Sequence, residues 1–366
     1  MIRAPVNPSL LEGDSRAWVE VDLAAIVENA RTVALVAGTR LLPVVKANAY
    51  GVGAVAVARA LEPLTPWGYG VATIEEGAAL RAAGITRPIL VFMPATPGLF
   101  ERLDEFRLTP TLGDAPSVIQ WVARGQRAFH LEIDTGMGRS GMRWDDVGKV
   151  VAALDTPYLE GCYTQFHSAD RNDGSAERQR ERFLEAVRKL PRRPPVLHVA
   201  NSAAAVRDRK FALDVVRPGV FLYGGSPGSW LPQPKPVVSV RARVVSVRRL
   251  AQGESVSYHA SWTAPRDTTV ATLGIGYADG LRRSLGLKGE ATVLLNGARC
   301  PIVGLVTMDF TMVDAGHTPV AVGDVATLVG ELQGACNTLE QFAAWSGALQ
   351  RELLTGLGPR LSRVYG

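Results

Sequence analysis

Short apolar runs alternate with amphipathic segments from residue 41 to residue 216, and that alternation leaves few folds open. Strands are expected over 41–45, 69–72, 89–92, 108–112, 129–133, 159–166, 196–199 and from 215. Helices are expected over 55–61, 73–83, 99–106, 114–123, 146–154 and 176–190, with a short helical turn over 201–206. Thr73 with Glu76 makes a capping box, and Asp114 starts the helix that follows it. Roughly eight strand–helix units at this spacing predict an α/β fold of the (β/α)8, TIM-like barrel type, since a doubly wound sheet usually needs fewer strands. Ahead of the alternation, 18–21 reads as a short strand. Asp22 then caps a helix to about residue 35, with apolar residues at Leu23, Ile26, Val27, Ala30 and Ala34.

The texture changes at Pro227-Gly228-Ser229-Trp230-Leu231-Pro232-Gln233-Pro234-Lys235-Pro236. Prolines at this density exclude helix and central strand, so a stiff linker is expected. Beyond it, Val238-Ser239-Val240-Arg241-Ala242-Arg243-Val244 alternates at period two, and Gly and Pro punctuate short runs as far as Val364. The expected division is a loose tail over 1–15, a barrel over 16–230, and a mostly antiparallel C-terminal β-domain over 237–366.

Bulk composition narrows the function classes. A chain of 366 residues exceeds one ordinary core, which agrees with two domains. Hydrophobic residues at 47% and charged residues at 20% describe a globular protein. Residues 1–10 carry no apolar signal core and no window approaches a membrane span, so a cytoplasmic protein without membrane contact is expected. Cys162, Cys300 and Cys336 are scattered without pairing or ligand spacing, and the five histidines form no zinc signature; reduced thiols and no metal are expected. The net charge of +5 is dispersed, as in Glu177-Arg178-Gln179-Arg180-Glu181-Arg182, which reads as a solvated helix face and not a nucleic-acid surface.

The chemistry centres on Val44-Val45-Lys46-Ala47-Asn48-Ala49-Tyr50-Gly51. Lys46 stands where a buried strand should end, the place α/β folds reserve for chemistry. Read alone, it is a solvated strand-end lysine; fenced by apolar residues, it loses hydration and favours the neutral, nucleophilic amine that forms imines. Tyr50 lies in a glycine-containing turn where a phenol meets a ligand phosphate. Asn201 and Ser202 open a short helix after the seventh strand, and Gly219 and Val220 follow the eighth, the recurring phosphate position of barrels. Two other patterns are weaker. Gly136-Met137-Gly138-Arg139-Ser140-Gly141 matches a dinucleotide fingerprint but sits in the middle of the alternation and leads into no immediate helix. Gly224-Gly225-Ser226-Pro227-Gly228 matches a hydrolase elbow, but Pro227 lacks the N–H that mechanism needs.

Together, Lys46-Ala47-Asn48-Ala49-Tyr50-Gly51, Asp134-Thr135-Gly136-Met137-Gly138-Arg139, Ala200-Asn201-Ser202-Ala203-Ala204, Arg217-Pro218-Gly219-Val220, Ile275-Gly276-Tyr277-Ala278-Asp279-Gly280 and Met308-Asp309 resemble the alanine racemase family in the expected order. The resemblance implies pyridoxal 5'-phosphate carried on Lys46. Tyr50, Ser202, Gly219 and Val220 would hold its phosphate, and Arg217 its pyridine nitrogen. A donor-only, always-charged arginine disfavours a proton on that nitrogen and weakens the ring as an electron sink. The resemblance further implies that Arg139 and the Met308 backbone bind the substrate carboxylate, that His198 supports the site, and that Tyr277 comes from the second subunit of a homodimer with shared active sites. Lys46 and Tyr277 are then the two bases that racemise L- and D-alanine, supplying D-alanine for peptidoglycan. Alternatives are a racemase of other small or basic amino acids, a decarboxylase of the same architecture, and a non-catalytic cofactor-binding protein related to the barrel alone.

Three positions depart from the family pattern. Gln165 stands where the family commonly has a histidine beside the ring, and a regular strand would aim His167 at the same face. Pro359 aligns with a phosphate-holding tyrosine. Glu132 stands where many members carry a lysine that becomes carbamylated, and it presents a carboxylate to Arg139 directly.

Overall fold

The computed structural model describes residues 15–125 and 127–366, in two compact units. One unit spans 26–222 and 226–234; the other takes in 15–25 of the described residues, 223–225 and 235–366. All of the expected tail except Ser15 lies outside the described residues.

The first unit is a closed parallel barrel. Tyr69–Val71, Ile89–Pro94, Thr109–Leu112, Phe129–Asp134, Leu159–Tyr163 and Val196–His198 pair in that order, each pair parallel. Val215–Val216 pairs with Arg40–Leu41, again parallel. Single bridges from Val44 to Gly70 and from Asn201 to Arg217 join the two groups and close the ring. Ala54–Leu61, Ile74–Ala82, Phe100–Glu105, Ala115–Ala123 and Ser175–Arg188 are the intervening helices, at the expected positions. Their starts are set by side chains that take up free amides. Thr73 and Glu76 bond in both directions, and Asp114 accepts from the Ser117 amide at 2.8 Å.

The expected strand over 159–166 stops at Tyr163, and the expected helix over 146–154 is a tight turn, Val147–Val150, followed by one α-turn, Val151–Leu154. The strand expected over 41–45 is regular only at Arg40–Leu41, but its hydrogen bonds run on: Leu42 N donates to the Val216 carbonyl at 2.8 Å, Val44 N to that of Pro218 at 2.9 Å and Val45 N to that of Gly70 at 2.8 Å, with Pro43, which has no N–H, leaving a gap.

The second unit is built on a nine-stranded sheet in which Val238–Leu250 is the longest strand, pairing antiparallel with Thr268–Leu273 and Val325–Leu332. The expected barrel boundary at residue 16 is corrected here. Ala17–Val21 is a strand of this sheet, antiparallel to Val238–Leu250 and parallel to Ser362–Tyr365. The Glu20 carboxylate meets Arg241 at 3.2 Å. Neighbouring strands usually pair, so a partner more than two hundred residues away leaves no local signal in the sequence. Val240 and Val329 of the sheet, with Phe342, Leu353 and Leu354 of the following short helices, line a small apolar pocket. The proline-rich stretch forms neither helix nor strand, and Trp230 Nε1 donates to the Asp170 carbonyl at 2.8 Å.

The barrel interior is unusually polar. Thr111, His130, Glu132, Thr164, His198 and Arg217 are all buried. His130 Nδ1 and His198 Nε2 are 2.8 Å apart, and Tyr163 stacks on the His198 ring at 4.9 Å between centroids. A side chain at Gly161 would collide with the His130 imidazole, so glycine makes room for the pair. Burial pushes the pKa of both imidazoles down; at His130 the Glu160 carboxylate opposes this, and at both rings the nearby Arg217 charge adds to the lowering. In the unfolded chain each histidine takes up a proton near pH 6.5, about its ordinary value. The folded state refuses that proton, so stability present above pH 6.5 is lost as the pH falls. Denaturant titrations between pH 8 and pH 5 are expected to show an unfolding free energy flat above pH 7 that drops below 6.5, by up to about 1.4 kcal/mol per pH unit for each histidine. A flat or rising value between pH 6.5 and 5 would contradict this account of the core.

Candidate active site

Lys46 ends its strand and the backbone at once reverses hand. Ala47, Asn48, Ala49 and Tyr50 all have φ between +51° and +55°. Left-handed backbone costs about 1–2 kcal/mol per non-glycine residue, so four in a row persist only where the surroundings over-determine them. Here they do. Gly51 N donates to the Ala47 and Asn48 carbonyls at 2.8 and 3.1 Å, Gly53 N to the Asn48 carbonyl at 2.9 Å, and Ala54 N to Asn48 Oδ1 at 2.8 Å. The Glu76 carboxylate takes the Ala47 amide at 2.6 Å and the Ala72 amide at 2.7 Å, tying this turn to the neighbouring strand end. Glu76 reads in the sequence only as a capping residue, and no sequence signal marks its second role. Lys46 is partly buried; desolvation lowers its pKa, the Arg139 and Arg217 charges add to this, and Glu76 opposes it.

The phosphate-type residues come together. Ser202 Oγ accepts from the Gly219 amide at 2.9 Å and the Phe221 amide at 3.3 Å, and its own proton remains available to a ligand. Asn201 Oδ1 caps the helix Ser202–Arg207 through the Ala204 amide at 3.1 Å. The Tyr50 hydroxyl lies against Gly219 so closely that a Cβ there would strike it. Val220 opens the tight turn Val220–Tyr223 directly after Gly219.

Arg217 is fully enclosed. Its Nη1 donates to the His198 carbonyl at 2.6 Å and lies 2.9 Å from His198 Nδ1; its Nη2 donates to the Thr164 carbonyl at 2.7 Å and to Gln165 Oε1 at 3.3 Å. Its guanidinium lies 5.1 Å from the Tyr163 ring centroid. Burial brings its pKa down to about 10, so it stays charged at neutral pH. Gln165 is thus at the site, and its carbonyl is held by Gln179 Nε2 at 3.1 Å. His167 does not sit on a regular strand: pairing ends at Tyr163, the His167 amide donates to Gln179 Oε1 at 3.1 Å, and its exposed ring meets Ser168 Oγ at 2.8 Å. The expectation that it faces the site with Gln165 rested on strand geometry that stops four residues before it.

Arg139 and Glu132 do approach each other. Nη2 and Oε1 are 3.9 Å apart, a charge contact that is longer than a hydrogen bond. The glutamate is buried and the Arg139 side chain is 57% exposed. Burial raises the Glu132 pKa, against the Ser140 hydrogen bond and the Arg139 charge. Asp134 shapes the intervening loop by accepting from the Gly136 amide at 2.9 Å and the Gly138 amide at 3.2 Å.

Tyr277 and Met308 belong to the other unit and are neighbours there. Tyr277 N donates to the Thr307 carbonyl at 2.9 Å and Ala278 N to the Met308 carbonyl at 3.0 Å; both side chains are exposed. Any side chain on Gly276 would collide with Met308. The buried Asp279 carboxylate holds this turn. It accepts from the Gly276 amide at 2.9 Å, from both Arg16 terminal nitrogens at 2.7 and 2.9 Å, and from Arg360 at 3.1 Å.

Comparison with known proteins agrees with this arrangement. Residues 21–227 match the family model "Alanine racemase, N-terminal domain" and 237–365 match "Alanine racemase, C-terminal domain". The chain is 38% identical to an alanine racemase of Desulforamulus reducens over 368 residues, covering 95% of this chain and 98% of that one. It is 38% identical to an alanine racemase of Carboxydothermus hydrogenoformans, covering 95% and 99%. The crystal structure of alanine racemase from Bacillus anthracis with bound L-Ala-P superposes with a TM-score of 0.89 at 32% identity, covering 99% of this chain and 96% of that one. That of Bartonella henselae alanine racemase with covalently bound pyridoxal phosphate superposes with a TM-score of 0.88 at 30% identity, covering 96% and 100%. A parallel barrel whose strand ends gather Lys46, Tyr50, Ser202 and Arg217, followed by a β-rich unit bearing Tyr277, and matched along nearly its whole length, belongs to the alanine racemase family.

Proposed function

We propose that this chain interconverts L- and D-alanine by a two-base route, with pyridoxal phosphate held on Lys46 and Tyr277 supplied by a second copy. The observation that carries the reading is a partly buried lysine at a barrel strand end, followed at once by the strained turn that sets the Tyr50 hydroxyl against Gly219 beside Ser202. The residues fit the cofactor. Glycine at 219 lets the Tyr50 hydroxyl come up against the backbone where a Cβ would stand, and Ser202 Oγ sits on the Gly219 and Phe221 amides of the same turn. In this reading Tyr50, Ser202, Gly219 and Val220 hold the phosphate and Arg217 faces the ring nitrogen. When bound, the group withdraws electrons from the substrate Cα and makes its proton removable. Lys46 Nζ, whose pKa burial and the neighbouring cations lower, takes or returns that proton on one face. Tyr277 Oη serves the other face, and a base on each side is what racemisation requires. Arg139 and the Met308 amide bind the substrate carboxylate, and Glu132 steadies Arg139. A decarboxylase of similar architecture is disfavoured by Arg217, which stands where such an enzyme places an acid. Product D-alanine would serve cell-wall peptidoglycan. Among the described residues no helix is long and apolar enough to cross a membrane, and the free thiols Cys162, Cys300 and Cys336 suit a reducing cytoplasm.

Purified protein is expected to convert either alanine enantiomer to the racemate, read by chiral chromatography. Lys46→Ala should lose on the order of 10³-fold or more of this activity. Borohydride should fix the cofactor on the peptide containing Lys46; an adduct elsewhere would refute the assignment. Homodimers of Lys46→Ala and of Tyr277→Phe are each expected to be nearly inactive. Their mixture, after subunit exchange, should recover activity, because one interface then holds both native bases; no recovery despite demonstrated exchange would show that each site is built within one chain. For Glu132→Gln, the long and half-solvated contact with Arg139 sets a modest effect, a KM for alanine raised about fivefold with kcat little changed. Added bicarbonate should leave the parent protein unaffected. Unchanged kinetics in the variant, or bicarbonate-dependent activity in the parent, would remove Glu132 from the site.

A further inference from the structure

Behind Arg217 the barrel core holds a line of groups that the reaction itself does not call for. Arg217 Nη1 is 2.9 Å from His198 Nδ1, His198 Nε2 is 2.8 Å from His130 Nδ1, and His130 Nε2 is 3.4 Å from Glu160 Oε2. A guanidinium only donates. His198 Nδ1 must therefore be bare, and the ring's one proton sits on Nε2, donated to His130. The same logic leaves the His130 proton on Nε2, aimed at Glu160. Charging either ring would set two donors face to face, so both stay neutral.

The column has to end on an acceptor. His130 Nε2 and Glu160 Oε2 are buried, and among the described residues neither has a hydrogen-bond partner; they face each other at 3.4 Å, a contact and not an aligned hydrogen bond. A desolvated donor left unmet is costly, and the facing carboxylate oxygen, itself unmet, is the acceptor within reach. Local structure brings Glu160 there. Phe129 pairs with Leu159 and His130 with Gly161, so Glu160 is the extra residue of a bulge. Bulges re-aim side chains, and this one stands beside the glycine that makes room for His130.

We propose that Glu160 is a positioning residue for Arg217: its carboxylate faces the end of a one-way hydrogen-bond column, Arg217 to His198 to His130, and holds the last proton on its side, which fixes how the guanidinium presents its edge to the ligand. The functional part of this rests on the reading that Arg217 faces the cofactor ring; the column itself does not. The test is NMR of the holoenzyme with ¹⁵N-labelled histidine and arginine, together with kinetics. In the parent, His130 and His198 are expected as neutral Nε2–H tautomers. In Glu160→Leu, the Arg217 guanidinium protons should exchange with solvent at least tenfold faster, and kcat should fall about tenfold with KM within twofold. Glu160→Gln keeps an acceptor oxygen and should restore both. A His130 proton on Nδ1 in the parent, or Glu160→Leu with unchanged Arg217 exchange, overturns the proposal. Should Glu160→Leu fail to fold, the parent tautomers and the Glu160→Gln exchange rates still decide it. Faster exchange with unaltered kcat overturns the role assigned to Arg217 and leaves the column standing.

Discussion

The constraint on which the barrel unit depends is the enclosure of one permanent charge. Arg217 cannot shed its proton at neutral pH, and it accepts no hydrogen bond. Each N–H it buries needs an acceptor. The carbonyls of Thr164 and His198 at strand ends supply two, Gln165 a third, and a bare imidazole nitrogen a fourth. Meeting those needs sets the direction of every hydrogen bond beneath it and makes the interior polar where a barrel is ordinarily filled by branched apolar side chains. The same charge, with Arg139, discourages a proton on Lys46.

Strain is the second ingredient. The turn after Lys46 is left-handed over four consecutive residues, a conformation the sequence Ala-Asn-Ala-Tyr would not choose alone. It is held from outside by the Glu76 carboxylate, and from within by the Asn48 side chain and carbonyl acting on Gly51, Gly53 and Ala54. The result ends the strand abruptly at Lys46 and delivers the Tyr50 hydroxyl to Gly219. The stability of the surrounding framework is thus spent on pre-setting a lysine and a phenol, the usual trade at functional sites. In the β-rich unit, Asp279 does comparable work with charge: two arginines and a backbone amide converge on it, and Tyr277 rides on the turn they hold.

Much of this was legible in the chain. Periodicity and capping residues determined the order of strands and helices, because those signals are local: Thr73 with Glu76, Asp114, and the runs around Leu90 and Leu131 act within a few residues. The wording around Lys46, Arg139, Ser202, Arg217 and Tyr277 marked the candidate site. Tertiary structure alone decided the rest, and in each case the cause is non-local. Ala17–Val21 joined a sheet whose other strands begin more than two hundred residues later, since pairing depends on which edges the fold leaves open. Glu76 became a clamp on the lysine turn, and His167 left the site when its strand ended at Tyr163. His130 and Glu160 read as ordinary strand residues; only closing the barrel stacked them beneath Arg217, where a buried donor must find an acceptor.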